Sequence, residues 1–271
     1  MQGRVLIIAG SDSGGGAGIQ ADLKSCMALD AYAGTAITAL TAQDTLGVHG
    51  VHPVPLDFIR QQIQLYLADI GADAIKTGML ADTPTIAAVC DALAAFGSGQ
   101  PLVADPVMMA KGGHALLEAG AVDTLRRRLL PLAAVITPNA PEAELLAGRP
   151  VRSVEDMPGA AAAILALGVP AVLLKGGHLP GETVVDLLAT RDGSERFESP
   201  RVESAHTHGT GCTLASAIAA GLAQRMSLRD AVIRGRAYVL AALRTAPGLG
   251  RGHGPLNHAV TVDPARIATL A

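Results

Sequence analysis

The chain has 271 residues, of which 49% are hydrophobic and 17% are charged, and its formal net charge is −3. This composition excludes a disordered chain, because such chains lack the apolar surface that offsets the entropy of ordering. Only 2% of the residues are aromatic and the single basic run is residues 126–128, which is typical of a solvated helix face, so no nucleic-acid surface is expected.

Short apolar runs alternate with helix-like stretches. In the first third of the chain, the pattern predicts strands at residues 5–9, 35–40 and 73–76, each followed by a helix, at 19–29, 58–70 and 83–96. Further strands are predicted at 102–104, 133–136 and 172–174, and a hairpin is predicted for 183–190 with 195–201. Two helices, at 213–224 and 228–245, complete the prediction. This alternation favours parallel strands with right-handed crossovers. An Asp-Gly pair at 192–193 favours an antiparallel hairpin at the sheet edge. We expect one α/β domain over residues 1–271.

No apolar run reaches the roughly 18–20 residues of a membrane span, and the N-terminal apolar run is too short for a signal peptide. Three cysteines, Cys26, Cys90 and Cys212, suit a reducing cytoplasm better than a disulfide framework.

Polar residues follow several predicted strands. Ser11 and Asp12 follow the first, and Asp105, Asn139 and Lys175 follow later ones. Because ligands of open parallel sheets bind outside the carboxyl ends of the strands, these residues indicate a candidate site. Polar strand ends also occur for purely structural reasons.

Residues 206–213, His-Thr-His-Gly-Thr-Gly-Cys-Thr, precede a predicted helix. Free backbone N–H groups of a glycine-rich turn, together with the helix dipole, favour an anion. The alternative is a tight turn before a buried helix. A zinc site built on His206, His208 and Cys212 lacks a fourth ligand.

Two further patterns have alternatives. The glycines at 14–18 fit a relaxed dinucleotide motif, but no ribose-binding acid follows the next strand. Asp105 and Glu142 are candidate Mg²⁺ carboxylates, although an acid in the first turn of a helix also stabilises the helix dipole.

Several segments together resemble the hydroxymethylpyrimidine/phosphomethylpyrimidine kinases of thiamine biosynthesis, within the ribokinase-like superfamily. The resemblance runs from about residue 4 to about residue 258, and Ala-Gln-Asp-Thr (42–45) with His-Gly-Thr-Gly-Cys (208–212) is its most specific part. The other matching segments are residues 9–24, 35–41, 76–80, 105–108, 137–143 and 172–178.

The resemblance implies a three-layer α/β/α fold with a mostly parallel sheet. It implies transfer of the ATP γ-phosphate to 4-amino-5-hydroxymethyl-2-methylpyrimidine and then to its monophosphate, in a cytoplasmic homodimer. The implied site residues fall into four groups: Gly10, Asp22, Gln43, Met79, Val107 and Cys212 around the pyrimidine; Asn139, Lys175, His208 and Thr210 for ATP; Asp105 and Glu142 for Mg²⁺; and Cys212, Lys175, Gly209 and Gly211 in catalysis.

Cys212 stands where sugar kinases of the same superfamily carry a basic Asp. At a helix N-terminus its thiol pKa is expected to fall, which would let a thiolate accept the hydroxyl proton. The alternative is that Cys212 only packs against the ring. Gly14 and Gly112 replace serines that the family pattern leads us to expect. Phosphorylation of pyridoxal, a non-catalytic pyrimidine binder and a nicotinamide oxidoreductase are the competing readings.

Overall fold

The computed structural model describes residues 1–97, 99–109, 113, 115–118 and 120–265. Gly112, one of the two departures from the family pattern, lies outside them. The strands in the described residues are β1 (Arg4–Asp12), β2 (Tyr32–Gln43), β3 (Val48–Pro53), β4 (Ala74–Thr77), β5 (Leu102–Ala104), β6 (Val135–Ile136), β7 (Ala171–Leu174), β8 (Thr183–Thr190) and β9 (Gly193–Pro200). The helices are α1 (Gly18–Ala28), α2 (Leu56–Asp69), α3 (Thr83–Phe96), α4 (Ala121–Thr124), α5 (Ala140–Ala147), α6 (Met157–Leu165), α7 (Thr210–Ala223) and α8 (Leu228–Arg244).

The strands form a single sheet in the order β3-β2-β1-β4-β5-β6-β7-β8-β9. From β2 to β7, neighbouring strands are parallel, and β7, β8 and β9 pair antiparallel. The predicted parallel sheet with an antiparallel edge hairpin is therefore confirmed. A second antiparallel edge, β3 against β2, was not predicted.

Two hydrophobic clusters lie on opposite faces of the sheet, and strand β1 contributes to both. Leu6 and Ile8 join the cluster that includes residues of α2, α3, α5 and α6. Val5 and Ile7 join the cluster that includes residues of α1 and α7. Alternate side chains of a strand point to opposite faces, so a continuous apolar run is what a strand buried on both faces requires. This arrangement is the predicted three-layer fold.

The strand order places a crevice beside β1. The chain runs from β1 outward to β2 and later returns to β4 on the other side of β1. At such a switch point the loops leaving the two strands separate, which opens a space at the carboxyl ends of the strands. The glycine-rich segment after β1 lies there, and α7 begins at the same end of the sheet.

Helix ends follow their local chemistry. Asn139 caps α5 in a capping box with Glu142, and the Ser227 side chain caps α8. A π-helical turn (Leu125–Leu129) contains the basic run, in which Arg128 pairs with Asp91 at 2.6 Å on the surface. Within the described residues, no helix has both the length and the apolar run needed to cross a membrane.

Candidate active site

A cavity of about 940 Å³ opens at the carboxyl ends of the parallel strands. It brings together thirteen of the fourteen predicted site residues, and Asp22 is the exception. The thirteen are Gly10, Gln43, Met79, Asp105, Val107, Asn139, Glu142, Lys175, His208, Gly209, Thr210, Gly211 and Cys212.

One end of the cavity is formed by Gly10, Gln43, Met79 and Val107. A Cβ added at Gly10 would lie 3.1 Å from Met79 Sδ, so glycine lets the methionine pack closely over β1. The backbone of Gln43 is fixed by the Ser13 hydroxyl, which bonds both its N–H and its C=O at 3.0 Å. Val107 has a positive φ of 24°, which is a strained conformation for a β-branched residue.

Asp22 lies beneath this end and not in it. Its side chain is completely buried, and its carboxylate accepts hydrogen bonds of 2.7 Å from Lys76 Nζ and from Ser216 Oγ. This geometry does not support the expected contact of Asp22 with the pyrimidine, because both of its carboxylate oxygens are turned to partners in the core.

Lys76 is the residue that reaches the cavity in its place. Burial disfavours its ammonium, but Asp22 and Asp105 outweigh that effect and raise the pKa of Lys76. Sequence analysis gave Lys76 no role of its own. The available signal was a single lysine within the otherwise uncharged strand β4.

Cys212 contradicts the expected pKa shift. Burial raises the pKa of the Cys212 thiol to about 12, and the carboxylates of Asp22 and Asp105 add to the rise while Lys76 opposes it. The helix N-terminus was expected to lower this pKa. Burial dominates here, because removing a thiolate from water destabilises it by more than the dipole of helix α7 stabilises it.

Residues 208–212, called the anion nest below, form the loop and first turn of α7. Gly209 has φ +81°, and a Cβ there would lie 1.8 Å from Gly16 O, so only glycine fits. The Thr210 hydroxyl donates to Thr207 O at 2.6 Å. Within the described chain, the N–H groups of Gly211 and Cys212 have no backbone acceptor, which is what an anion at a helix N-terminus needs.

Lys175 lies beside the nest. Its Nζ donates to Asp105 Oδ1 at 3.0 Å, and a Cβ added at Gly211 would lie 3.2 Å from the same nitrogen. Burial disfavours the ammonium, but Asp105 and Glu142 raise the pKa of Lys175. A lysine that keeps its proton therefore lies next to the free amides of the nest.

Glu142 is buried and has two backbone donors. Its Oε2 accepts from Asn139 N–H at 2.8 Å and its Oε1 accepts from Met108 N–H at 3.3 Å. Burial raises the pKa of Glu142, although Lys175 lowers it in part. The side-chain oxygen of Asn139 accepts from Glu142 N–H at 2.9 Å. The structural role foreseen as an alternative for Glu142 is thus present.

Asp12 is a site residue to which sequence analysis assigned no function. It is the buried last residue of β1, and its carboxylate accepts from the N–H groups of Gly14, Gly16 and Ala17 in the following turn. His208 Nε2 lies 2.9 Å from the same carboxylate. Burial tends to raise the pKa of Asp12, but His208 and the amides hold it below its usual value.

The far end of the cavity is apolar and was not predicted. It lies between β9 and α8, where Arg236 sits 5.6 Å from the centre of the Phe197 ring and binds Asp186 at 2.7 Å. Besides Phe197, the apolar residues that line this end of the cavity include Val202, Ile233, Ala237 and Leu240. The cavity therefore joins a polar end at β1 to an apolar end at α8, with the nest and Lys175 between them.

The profile of the family "Phosphomethylpyrimidine kinase" matches residues 12–257. A hydroxymethylpyrimidine/phosphomethylpyrimidine kinase of Bacillus subtilis is 45% identical and covers 94% of each chain. A thiamine biosynthesis bifunctional protein of Geobacter sulfurreducens is 50% identical over 98% of this chain, which spans 54% of that protein's length. Among solved structures, a Bacillus subtilis pyridoxal kinase in an ADP complex superposes with a TM-score of 0.89 at 37% identity, over 96% of this chain and 98% of the other.

Proposed function

This chain belongs to the phosphomethylpyrimidine kinase family, and we propose that its cavity carries out both phosphorylations implied by that membership. The enzyme is an ATP-dependent kinase of thiamine biosynthesis that phosphorylates hydroxymethylpyrimidine and then the resulting monophosphate. The observation that carries the proposal is the arrangement of the cavity. The open amides of Gly211 and Cys212, together with Lys175, lie between a polar end near β1 and an apolar end near α8.

The polar end near β1 is assigned to the pyrimidine. An aminopyrimidine presents ring nitrogens and an exocyclic amine, and the Gln43 amide can donate and accept at once. Met79 supplies a polarizable apolar face against the ring, beside Gly10, Val107 and Cys212. Asp22 takes part only through Lys76, whose ammonium it holds in place.

The apolar end near α8 is assigned to the ATP base. A base slot needs apolar surfaces and few polar groups, which Phe197, Ile233 and Leu240 provide. The phosphates then extend toward Lys175, Asn139 and Thr210, and the γ-phosphoryl group lies over the amides of Gly211 and Cys212.

Mg²⁺ fits beside Lys175. The ion usually takes one or two carboxylates, with water and substrate phosphates as its remaining ligands, so a larger protein cluster is not needed. Asp105 and Glu142 both line the cavity, and each carboxylate has more acceptor positions than its present hydrogen bonds occupy. These two residues would hold the ion, which supplies charge neutralisation for the phosphates.

Catalysis rests on positioning and charge, as in other phosphoryl transfers. Lys175 and the nest amides face the oxygens on which charge accumulates, and fixed donors of this kind need no reorganisation during the reaction. In the first step the substrate hydroxyl oxygen bonds to the γ-phosphorus while the bond from that phosphorus to the β-phosphate oxygen breaks, ADP leaves, and the hydroxyl proton passes to an oxygen of the transferred phosphoryl group. In the second step the acceptor is already an anionic phosphate. A thiol with a pKa near 12 is protonated at neutral pH, so Cys212 is assigned to packing and not to the base role.

A second candidate activity is phosphorylation of pyridoxal. The solved pyridoxal kinase named above shares the fold closely, but its 37% identity is lower than the 45% of the Bacillus subtilis pyrimidine kinase. We assign pyridoxal a lower kcat/KM than the pyrimidine in the same cavity.

We also propose a homodimer in a reducing, cytoplasmic compartment. The family resemblance and the exposed apolar side chains Leu40, Val51, Phe58 and Leu65 on β2, β3 and α2 support the dimer, and the free state of Cys26, Cys90 and Cys212 supports the compartment. Light scattering after size exclusion tests the dimer, and a monomer at micromolar concentration contradicts it.

The central experiment follows ADP release with Mg-ATP and each acceptor in turn: the pyrimidine, its monophosphate and pyridoxal. We expect turnover with both pyrimidines and a lower kcat/KM with pyridoxal. Lys175→Met should abolish most of the turnover, while Arg128→Met, at a surface ion pair, should leave it unchanged. Binding of the pyrimidine without ADP release would identify a non-catalytic binder, and a preference for pyridoxal would reverse the assignment.

A further inference from the structure

The anion nest is tied to a loop that lies almost two hundred residues earlier in the chain. His208 Nε2 lies 2.9 Å from Asp12 Oδ2, with a sequence separation of 196 residues. Asp12 is 1% exposed and the His208 side chain is 16% exposed, so this contact is largely shielded from water. The pair therefore joins the glycine-rich loop after β1 to the start of the nest, because His208 directly precedes Gly209, the glycine with a positive φ.

The contact between Asp12 and His208, called the joint below, is tightly packed. A Cβ added at Gly16 would lie 2.7 Å from the His208 ring, and a Cβ added at Gly209 would lie 1.8 Å from Gly16 O. His208 N–H also donates to Gly254 O at 3.1 Å. The histidine is therefore held by the loops at residues 12–17 and 254–255, and Gly209 of the nest packs against the first of these loops.

The same geometry argues against a direct role of His208 on the phosphates. Its Nε2 is directed to a carboxylate that already accepts three backbone N–H groups. A carboxylate and an imidazole paired in this way present no net positive charge to an anion. The cation beside the nest is Lys175, whose Nζ lies next to Gly211.

We propose that His208 is a positioning residue, which acts through Asp12 to hold the amides of Gly211 and Cys212 at the γ-phosphoryl group. The inference rests on the proposed function for its kinetic effect. Misplacing catalytic groups by about 1 Å lowers turnover by roughly a hundredfold. Loss of the joint should therefore reduce kcat for both acceptors and leave ATP binding largely intact.

The kinetic test compares two variants at one position. His208→Gln keeps an N–H donor near the place of Nε2, whereas His208→Leu removes it. We expect His208→Leu to lower kcat by about 10–100-fold, with both KM values within about threefold of wild type, and His208→Gln to recover most of the loss. If both variants raise the KM for ATP equally, His208 acts on the phosphates by its charge and the proposal fails.

His258→Leu is the matched control. His258 is also bound at the first turn of α7, through Thr213 Oγ1 at 2.9 Å, but it does not line the cavity. We expect a lower Tm without the loss of kcat. A similar fall of kcat in this control would show a general stability effect and overturn the proposal.

A double-mutant cycle tests whether the pair acts as a unit. On an Asp12→Asn background, His208→Leu should lower kcat by less than about twofold further, whereas independent losses that multiply would overturn the proposal. A measurement without any acceptor separates this inference from the proposed function. Amide exchange at residue 208 and at Thr213, which donates to Gly209 O at 2.8 Å, should be faster in His208→Leu and unchanged in His208→Gln. Unchanged exchange in both variants refutes the joint, even if wild-type protein phosphorylates no pyrimidine.

Discussion

Replacement of Asp22 by asparagine tests the buried pair beneath the cavity. Asp22 and Lys76 have completely buried side chains, and their charged atoms are 2.7 Å apart. Asparagine keeps the shape but removes the charge that, of the two nearby carboxylates, does more to raise the pKa of Lys76. Leaving one partner of a buried ion pair uncompensated costs about 3–5 kcal/mol. At about 2–4 °C per kcal/mol for a chain of this size, Tm should fall by roughly 6–20 °C.

The assay is calorimetric or urea-induced unfolding at neutral pH, with the pyrimidine KM measured in parallel. A matched variant, Asp22→Asn with Lys76→Met, removes both charges and should regain much of the lost stability, because no uncompensated charge then remains buried. A Tm within about 2 °C of wild type in Asp22→Asn, with only the pyrimidine KM raised, would refute this reasoning. It would place Asp22 in contact with the substrate ring.

Four further substitutions address the site and its surroundings. Gln43→Leu should raise the pyrimidine KM about tenfold, since an unpaired polar edge costs about 1–3 kcal/mol; an equal rise for ATP would indicate a folding role. Glu142→Gln should lower turnover and raise the Mg²⁺ concentration needed, whereas a lower Tm with unchanged kinetics would leave only the capping role. Cys212→Ala should keep kcat within about tenfold with an unchanged pH–rate profile, and a loss of about 10²–10⁴ would restore the general base. His258→Leu should flatten stability against pH: burial lowers the pKa of His258 to about 4, so the unfolded chain binds more protons and stability falls from pH 6.5 toward 4. An unchanged slope would contradict this.

The sequence predicted those elements whose pattern of apolar residues matches the number of faces that they bury in the fold. The continuous apolar run of β1 and the Asp-Gly turn between β8 and β9 were correctly interpreted. Strand β3 was missed because five of its six residues are exposed and the remaining one is only half-buried. Such an edge strand has no buried face, and therefore no alternation of apolar and polar residues to detect.

For the site, local motifs predicted which residues meet but not how deep each lies. Asp22 and Cys212 occupy motif positions near the cavity, yet one carboxylate is turned into the core and burial raises the pKa of the thiol. Depth depends on what α1 and α7 pack against, which a short motif does not contain. The Asp12–His208 pair spans 196 residues, so no local pattern connects its members.

The second hydrophobic cluster has a consequence for synthesis of the chain on the ribosome. Val5, Ile7 and Ile19 pack in it with Leu214 and Ile218 of α7, and Thr210 follows Ala28 by 182 residues. At translation rates of about 5–20 residues per second, this face of β1 and α1 stays uncovered for roughly 10–40 s. The nascent chain exposes an apolar surface throughout that interval, which is when chaperones engage unfinished domains. We therefore expect a message truncated before codon 210 to yield a chain that contains the glycine loop after β1 but aggregates, because the helix that covers its core is never made.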